Sequence, residues 1–223
     1  MKKPFRRVLV TAGPTQEMLD PVRYLTNRST GAMGYAIARA ARRAGYAVTL
    51  ISGPVALKRP AGVLWVPITS AADLKKACQR HFKHCDVLFM TAAVCDFTPL
   101  KRRAQKIHRQ GRLTLTLRKT PDILAALAAK KRRRIVIGFC LETEDWLAGA
   151  RRKLNAKHLD GIVANTLTSI HNPFGLRKIR TAFLGRQTNG HVLGPKSKAA
   201  LAKTLLRWAE SLRRDTKYQF LKT

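Results

Sequence analysis

Acidic residues are scarce in this 223-residue sequence, which has 12 Asp and Glu against 44 Lys and Arg and a formal net charge of +32. So basic a protein attracts polyanions, whether they are nucleotides, phosphorylated metabolites or nucleic acids. No zinc finger, homeodomain helix or RNA-recognition strand with paired aromatic residues accompanies this charge, so base-reading chemistry is missing. We therefore expect nucleic-acid binding to be a secondary property at most.

Long apolar runs are also absent, because none approaches the roughly 20 residues that a membrane-spanning helix needs. Residues 1–7 are too short for a secretion signal and lack its apolar stretch. The four cysteines show no CxxC spacing, which is typical of free thiols in a reducing compartment. These absences predict a cytoplasmic protein with no membrane partner. The length and the 45% apolar content predict one domain over residues 1–223.

Short apolar runs alternate with amphipathic segments along most of the chain. The first unit is a strand at 7–12, a helix at 31–44 and a strand at 47–51, with Ser29 or Thr30 as the helix N-cap residue. Further strands are predicted at 63–68, 87–94, 135–140 and 161–164, and further helices at 71–84, 122–131 and 144–158. This pattern predicts an α/β fold with a Rossmann-like, doubly wound, mostly parallel sheet and helices on both faces.

Two segments depart from this pattern. Residues 113–117 (LTLTL) alternate strictly and predict an antiparallel strand or hairpin arm added to the sheet. After Asn165 the chain is rich in turn residues; 180–185 and 191–193 are predicted to form a hairpin around Asn189-Gly190. An amphipathic helix is predicted at 196–213.

The loop between the first strand and the first helix is a candidate phosphate or substrate site. Backbone N–H groups at a glycine-containing helix start can bind an anion, and the residues concerned here are Gly13, Ser29, Thr30, Gly31 and Gly34. Close packing of the helix on the sheet explains the last two glycines equally well. The second strand runs into Ser52-Gly53-Pro54 with no acidic residue, and GxGxxG is missing. A nicotinamide-dependent oxidoreductase is therefore a weaker alternative.

Seven segments together carry a resemblance to a known family: VTAGPTQEMLDPVRYLTNRSTGAMGYAIA, TLISGP, TAAVCDF, QKIHR, KTPDIL, IGFCLET and IVANTL. In this order, from Val8 to about Phe183, they resemble the phosphopantothenate–cysteine ligase family of the CoaB type. The resemblance implies a single ligase domain without flavin and without the decarboxylase that is fused to many bacterial relatives. It also implies a homodimer, and a separate phosphopantothenoylcysteine decarboxylase for the next step.

The reaction implied by this resemblance has two steps. The carboxylate of 4'-phosphopantothenate attacks the α-phosphate of CTP, which gives an acyl-cytidylate and pyrophosphate. The amine of L-cysteine then attacks the acyl carbon, so that an amide forms and CMP leaves. Mg²⁺ is expected to accompany CTP, and ATP in place of CTP stays open. Positioning and charge neutralisation supply most of the rate in such phosphoryl-type transfers.

The resemblance also assigns residues by their position in the motifs. Asn27 matches the residue that steadies the acyl-cytidylate, and Lys106 matches a lysine that neutralises charge as pyrophosphate leaves. Without the resemblance, Asn27 would be a turn residue and Lys106 one solvated lysine among many. Two residues depart from the family's pattern. Ala32 stands where relatives often have Lys, and His108 belongs to Lys106-Ile107-His108-Arg109, which stands in place of the family's Lys-x-Lys-Lys. The residues expected around the nucleotide are Met90, Asp96, Lys106, Pro121, Asp122, Ile123, Leu124, Phe139, Lys153 and Lys157.

Metal ligands could not be assigned from the sequence. Cys78, His81, His84 and Cys85 have ligand side chains within two helical turns, but zinc sites seldom draw every ligand from one straight helix. The favoured interpretation is an apolar helix stripe that includes both cysteines.

Overall fold

We describe the protein from a computed structural model that covers residues 5–109, 111–142, 144–166, 178–186 and 190–220, with side chains as far as residue 213. The strands are β1 Arg7–Ala12, β2 Gln16–Met18, β3 Tyr24–Thr26, β4 Ala47–Ser52, β5 Leu64–Pro67, β6 Val87–Met90, β7 Phe97–Pro99, β8 Leu117–Lys119, β9 Ile135–Glu142, β10 Gly161–Thr166, β11 Ile179–Gly185 and β12 His191–Lys196. The helices are α1 Ala32–Arg43, α2 Ala71–Phe82, α3 Ile123–Ala128, α4 Trp146–Ala156 and α5 Lys198–Phe220.

Eight strands form the main sheet in the order β12-β11-β10-β9-β6-β1-β4-β5. Strand β1 pairs in parallel with β4 on one side and with β6 on the other. The chain therefore winds outward in both directions from the β1–β6 pair. In open α/β sheets, ligands bind beyond the carboxyl ends of the strands at such a switch point. The predicted α/β fold with a mostly parallel sheet is confirmed.

The core consists of two layers of apolar side chains, one on each face of the sheet. Helices α1 and α5 cover one face, and α2, α3 and α4 cover the other. Within β1, Val8 and Val10 belong to the first layer and Leu9 to the second, as the period of two in a strand requires. Since β1 and β6 are covered on both faces, their sequences are continuous apolar runs instead of alternating ones.

The strand predicted at 87–94 ends at Met90 in the structure. Beyond it the backbone no longer pairs with the main-sheet strands, because Ala93 bonds to residues 13 and 15 of the first loop instead. The prediction that Ser29 or Thr30 is the N-cap of α1 is wrong. Gly31 occupies this position with a left-handed backbone and without a side-chain cap.

The strand predicted at 113–117 lies later and elsewhere. Strand β8 pairs with β7 in a separate two-stranded sheet, and Leu113 and Leu115 are exposed. Their alternation therefore does not mark a face on the core. The predicted antiparallel pairing of residues 180–185 with 191–193 is confirmed by β11 and β12, whereas Asn189 and the turn residues at 172–175 lie outside the described residues.

A short hairpin of β2 and β3 was not predicted, because three-residue strands give too little periodicity. It lies inside the first of the seven segments that carry the family resemblance, between β1 and α1. Across the part of the chain that the structure describes, no helix combines the length and apolar content that crossing a bilayer requires.

Candidate active site

Four glycines allow the backbone segments around the carboxyl end of β1 to approach one another: Gly13, Gly31, Gly34 and Gly53. We call them the glycine cradle. A Cβ atom at Gly53 would lie 1.8 Å from the carbonyl oxygen of Pro14, and one at Gly34 would lie 2.6 Å from the Cβ of Ala12. These approaches support the packing explanation for Gly34. At Gly13 and Gly31, φ values of +74 and +73 further favour glycine.

The loop after β1 is joined to the loop after β6, and this places both loops at the switch point. The Ala93 amide donates to the Gly13 carbonyl at 2.9 Å, and the Thr15 amide donates to the Ala93 carbonyl at 3.2 Å. The hydroxyl of Thr15, which is buried, accepts from the Cys95 amide at 3.0 Å. The two loops therefore form one continuous platform beyond the carboxyl ends of β1 and β6.

Asn27 lies directly after β3 and reaches across to this platform. Its Nδ2 donates to the carbonyl oxygens of Ala93 at 3.2 Å and Val94 at 3.0 Å. Both N–H groups of the carboxamide are therefore engaged by backbone, which fixes the plane of the amide. The start of α1 follows, where the Gly31 amide donates to Ser29 Oγ at 3.3 Å and Thr30 is exposed. The structure thus brings Asn27 and the predicted anion loop together.

The basic segment at 101–109, which we call the basic loop, is attached to the turn of the β2–β3 hairpin. Asp20 in this turn is fully buried and accepts from the Ile107 amide at 3.0 Å. Arg23 donates to the Ile107 carbonyl, and the Arg103 amide donates to the Leu19 carbonyl at 2.9 Å. Lys106, next to Ile107, is exposed. One hairpin therefore holds the basic loop at its turn and leads into Asn27 at its end.

The Asp20 carboxyl has an unusually low pKa of about 2. The hydrogen bond from Ile107 is the largest cause; burial opposes it, and the amides of Val22 and Arg23 and the Arg23 guanidinium lower the pKa further. The carboxyl is therefore an anion under ordinary conditions. A cavity of about 940 Å³ is lined by Arg23 and largely by basic-loop residues, among them Arg102, Lys106 and Arg109.

Lys153 on α4 and Lys157, the C-cap residue directly after α4, are paired with carboxylates in this structure. Lys153 Nζ lies 2.6 Å from Glu142 Oε1, at the end of β9, and Lys157 Nζ lies 2.9 Å from Asp122 Oδ2. Asp122 also caps α3 by accepting from the Ala125 amide at 2.9 Å. Partial burial raises the pKa of Asp122, but the Ala125 bond and the Lys157 ammonium outweigh it and hold the pKa below its usual value.

The predicted residue Asp96 is exposed, and its backbone carbonyl accepts from the Thr120 amide at 2.9 Å. This bond joins the platform to Pro121 and Asp122, which are also exposed. Asn27, Asp96, Asp122 and Lys157 are thus linked through direct contacts or short chain segments.

Four predicted nucleotide contacts belong wholly or partly to the core. Met90 is buried, and its sulfur accepts a hydrogen bond from the Thr11 hydroxyl at 3.3 Å. Ile123 and Leu124, the first two residues of α3, are also buried. Phe139 is half-buried and packs against the core layer of α1 and α5. At these positions a nucleotide would meet backbone or a ring edge instead of a fully exposed side chain.

The predicted apolar stripe is confirmed on α2 for Leu74, Cys78 and Phe82, whereas Cys85 is buried but lies beyond the end of the helix. Cys78 and Cys85 are buried, and burial raises the pKa of both thiols to about 12. Leu74 and Phe82 pack in the same core layer. All four cysteines of the chain are free thiols, and residues 5–109, 111–142, 144–166, 178–186 and 190–213 contain no group of three metal-binding side chains.

Reasoning from the sequence overlooked Asp20, Arg23, Thr15 and Glu142. The first two lie in LDPVRY, within the first of the seven segments that carry the family resemblance. An Asp followed by Pro is a strong turn signal, and it could have indicated an anchored turn there. Glu142 is one of 12 acidic residues in a chain of net charge +32, so each carboxylate is a candidate partner for functional lysines.

The sequence matches a family model and several curated proteins. Residues 5–212 match the family model described as the DNA/pantothenate metabolism flavoprotein C-terminal domain. The chain is 48% identical over 172 residues to the coenzyme A biosynthesis bifunctional protein CoaBC of Bacillus subtilis, covering 76% of this chain and 42% of that protein. It is 41% identical over 206 residues, or 91% of its length, to a cysteine/cysteine sulfinic acid decarboxylase from an unidentified prokaryote.

The second of these proteins is covered over 57% of its length, so the chain spans about half of each curated relative. Among solved structures, the C-terminal domain of a coenzyme A biosynthesis bifunctional protein CoaBC superposes with a TM-score of 0.81 and 34% identity. That match covers 94% of this chain and 96% of the solved chain.

Proposed function

This chain belongs to the DNA/pantothenate metabolism flavoprotein C-terminal domain family, and from this premise we propose that it joins 4'-phosphopantothenate to L-cysteine with CTP as co-substrate. The observation that carries the proposal is the position of Asn27, clasped to the platform at the sheet's switch point, where an α/β fold binds its ligands. The near-complete match to the CoaBC C-terminal domain supports the same reaction.

We propose that CTP lies over the platform with its phosphates towards the basic loop and the two lysines at the carboxyl end of α4, Lys153 and Lys157. Lys153 would leave Glu142, and Lys157 would leave Asp122, to bind phosphate oxygens of CTP. This exchange is favoured because the triphosphate carries more negative charge than a carboxylate and so makes stronger charge-assisted hydrogen bonds. Lys106 would neutralise the charge that develops as pyrophosphate leaves. The uncapped start of α1 would hold the phosphate of 4'-phosphopantothenate.

Asn27 is proposed to steady the acyl-cytidylate. Since its two N–H groups bind the carbonyls of Ala93 and Val94, it would donate to the intermediate by giving up one of these bonds. The carboxamide adds no charge, which suits contact with a mixed anhydride.

Mg²⁺ is proposed to arrive on the phosphates of CTP. A protein site made of three or more acidic, His or Cys side chains is not found among the described residues, and magnesium in nucleotide sites is commonly held by one or two carboxylates together with substrate phosphates. Asp96, exposed beside the platform, is a carboxylate that fits this role. We propose no flavin requirement.

We also propose that residues 1–223 form one ligase domain, which works as a homodimer in the cytoplasm. The β2–β3 hairpin lies against β7, and this region exposes a set of large apolar side chains: Val22, Tyr24, Phe97, Leu100, Leu113, Leu115 and Leu117. Several exposed large apolar side chains in one region are typical of an interface, and a second copy would cover them. A separate decarboxylase would act on the product.

The test is to incubate purified protein with 4'-phosphopantothenate, L-cysteine, Mg²⁺ and either CTP or ATP. Phosphopantothenoylcysteine and CMP, detected by mass spectrometry with CTP, are the expected result. Product with AMP would keep the ligase and overturn the choice of nucleotide. No nucleotide cleavage with either would overturn the proposal.

A further inference from the structure

The turn of the β2–β3 hairpin takes up both backbone hydrogen-bonding groups of one residue in the basic loop. Asp20 accepts from the Ile107 amide, and Arg23 donates to the Ile107 carbonyl. The partners are 87 and 84 residues apart in sequence, so these are tertiary contacts that depend on the fold. The adjoining residue is Lys106, whose Cα is thereby confined.

The carboxylate of Asp20 divides its two oxygens between two tasks. Oδ1 accepts from the amides of Val22 and Arg23, both at 2.7 Å, and so shapes its own turn. Oδ2 accepts from the Ile107 amide at 3.0 Å and faces Arg23 Nε at 3.2 Å. Because the group is buried and ionised, each bond is charge-assisted and shielded from water.

We propose that Asp20 is a positioning residue for the ligase reaction: it anchors Ile107 and thereby sets where the Lys106 ammonium lies when CTP is bound. This rests on the proposed function. Asp20 touches neither substrate nor reacting atoms in this role. It acts through the backbone of the basic loop. The positive side chains of this loop repel one another, and without the anchor this repulsion would move the loop away from the hairpin.

Asp20→Asn separates the two tasks. If the amide oxygen keeps the Oδ1 position, the turn bonds to Val22 and Arg23 survive. The NH₂ group then faces the Ile107 N–H and Arg23 Nε, so donors oppose donors and the anchor is lost. The matched control is Asp86→Asn, because Asp86 likewise accepts from two backbone amides, each at 2.9 Å, and pairs with an arginine, Arg7.

The first readout needs no substrate. Limited trypsin digestion followed by mass spectrometry measures cleavage at the basic residues of the basic loop. Loss of a charge-assisted bond is expected to speed this cleavage about tenfold or more in Asp20→Asn. Asp86→Asn is expected to match the wild type. Equal cleavage in all three proteins would overturn the anchor, whatever the wild-type activity is.

The second readout is the kinetics of product formation. Asp20→Asn is expected to lower kcat/KM for CTP about tenfold or more, since Lys106 is no longer held, while KM for L-cysteine stays unchanged. Faster cleavage with unchanged CTP kinetics would show an anchor without a positioning role and overturn the proposal. A wild type without ligase activity would instead overturn the proposed function, with the cleavage result still standing.

If Asp20→Asn does not fold, Ile107→Pro removes the N–H donor and leaves the turn intact. Because trypsin does not cut a Lys–Pro bond, faster cleavage is expected at the other basic residues of the basic loop, together with the same loss in CTP kinetics. Wild-type values in this variant would contradict the anchor.

Discussion

The glycine cradle and the basic loop supply the two halves of the proposed site, and different forces hold them. The cradle is fixed by steric exclusion, since a Cβ atom at Gly53 would lie 1.8 Å from the Pro14 carbonyl oxygen. The basic loop is fixed by hydrogen bonds from one hairpin turn, chiefly those of Asp20 and Arg23. The platform is therefore held by close backbone packing, whereas the proposed catalytic lysine is held by hydrogen bonds that a single substitution can remove.

The strongest way to break this comparison is Gly53→Ala. Relieving the overlap with Pro14 requires the loops after β1 and β4 to separate, and we expect a loss of about 3 kcal/mol in the free energy of unfolding or no folding at all. Gly194→Ala is the control, because nothing lies within 4 Å of a Cβ there. Urea denaturation of both variants checks the difference. Similar stability for the two would contradict a sterically fixed cradle.

Lys106→Ala examines the other half of the site. Since Lys106 is exposed, we expect wild-type stability but a fall of about 100-fold in kcat, the scale found for removing one group that stabilises charge in a transition state. Lys130→Ala, at an exposed position after α3, is expected to leave both unchanged. Steady-state assays with CTP decide it. A less than twofold fall in kcat would remove Lys106 from the chemistry.

How far the sequence predicts the molecule follows the same division. Apolar runs predict the parallel sheet, because strands covered on both faces consist of apolar residues. Glycines indicate the cradle, because close approach of two backbone segments leaves no room for a Cβ atom. The sequence does not reveal the anchor of the basic loop, because Asp20 and Ile107 are 87 residues apart and come into contact only through the fold. Lys153 and Lys157 were predicted one helical turn apart, but their partners Glu142 and Asp122 come from other elements and have no periodicity to reveal them.

A smaller effect is expected at the edge of the platform. Asp122→Ala removes the N-cap of α3 and the ion pair with Lys157, and the cost should be about 1 kcal/mol in the free energy of unfolding, mostly from the cap. Asp122→Asn keeps a capping oxygen and should lose less. Thermal unfolding of both variants at low and high salt separates the two contributions. An equal, salt-sensitive loss in both would assign the effect to the ion pair.

The smallest effect concerns pH, at the opposite end of β6. Burial raises the pKa of Asp86, but hydrogen bonds from the amides of Arg6 and Arg7 outweigh it and lower the pKa below 3.8. A carboxyl whose pKa is lower when folded adds stability above its unfolded pKa and loses it as pH falls through the folded value. The stability difference between wild type and Asp86→Asn should thus be full above the unfolded pKa of about 3.9 and shrink as the pH falls below it. A difference independent of pH would contradict it.

The most direct test of the proposed reaction follows one oxygen atom. When the carboxylate of 4'-phosphopantothenate carries ¹⁸O, attack on the α-phosphate of CTP places one labelled oxygen between the acyl carbon and phosphorus. Attack by the cysteine amine then breaks the acyl C–O bond and leaves that oxygen on the phosphate. Mass spectrometry of CMP should therefore show one ¹⁸O per molecule. CMP without label would contradict the acyl-cytidylate and the ligase mechanism built on it.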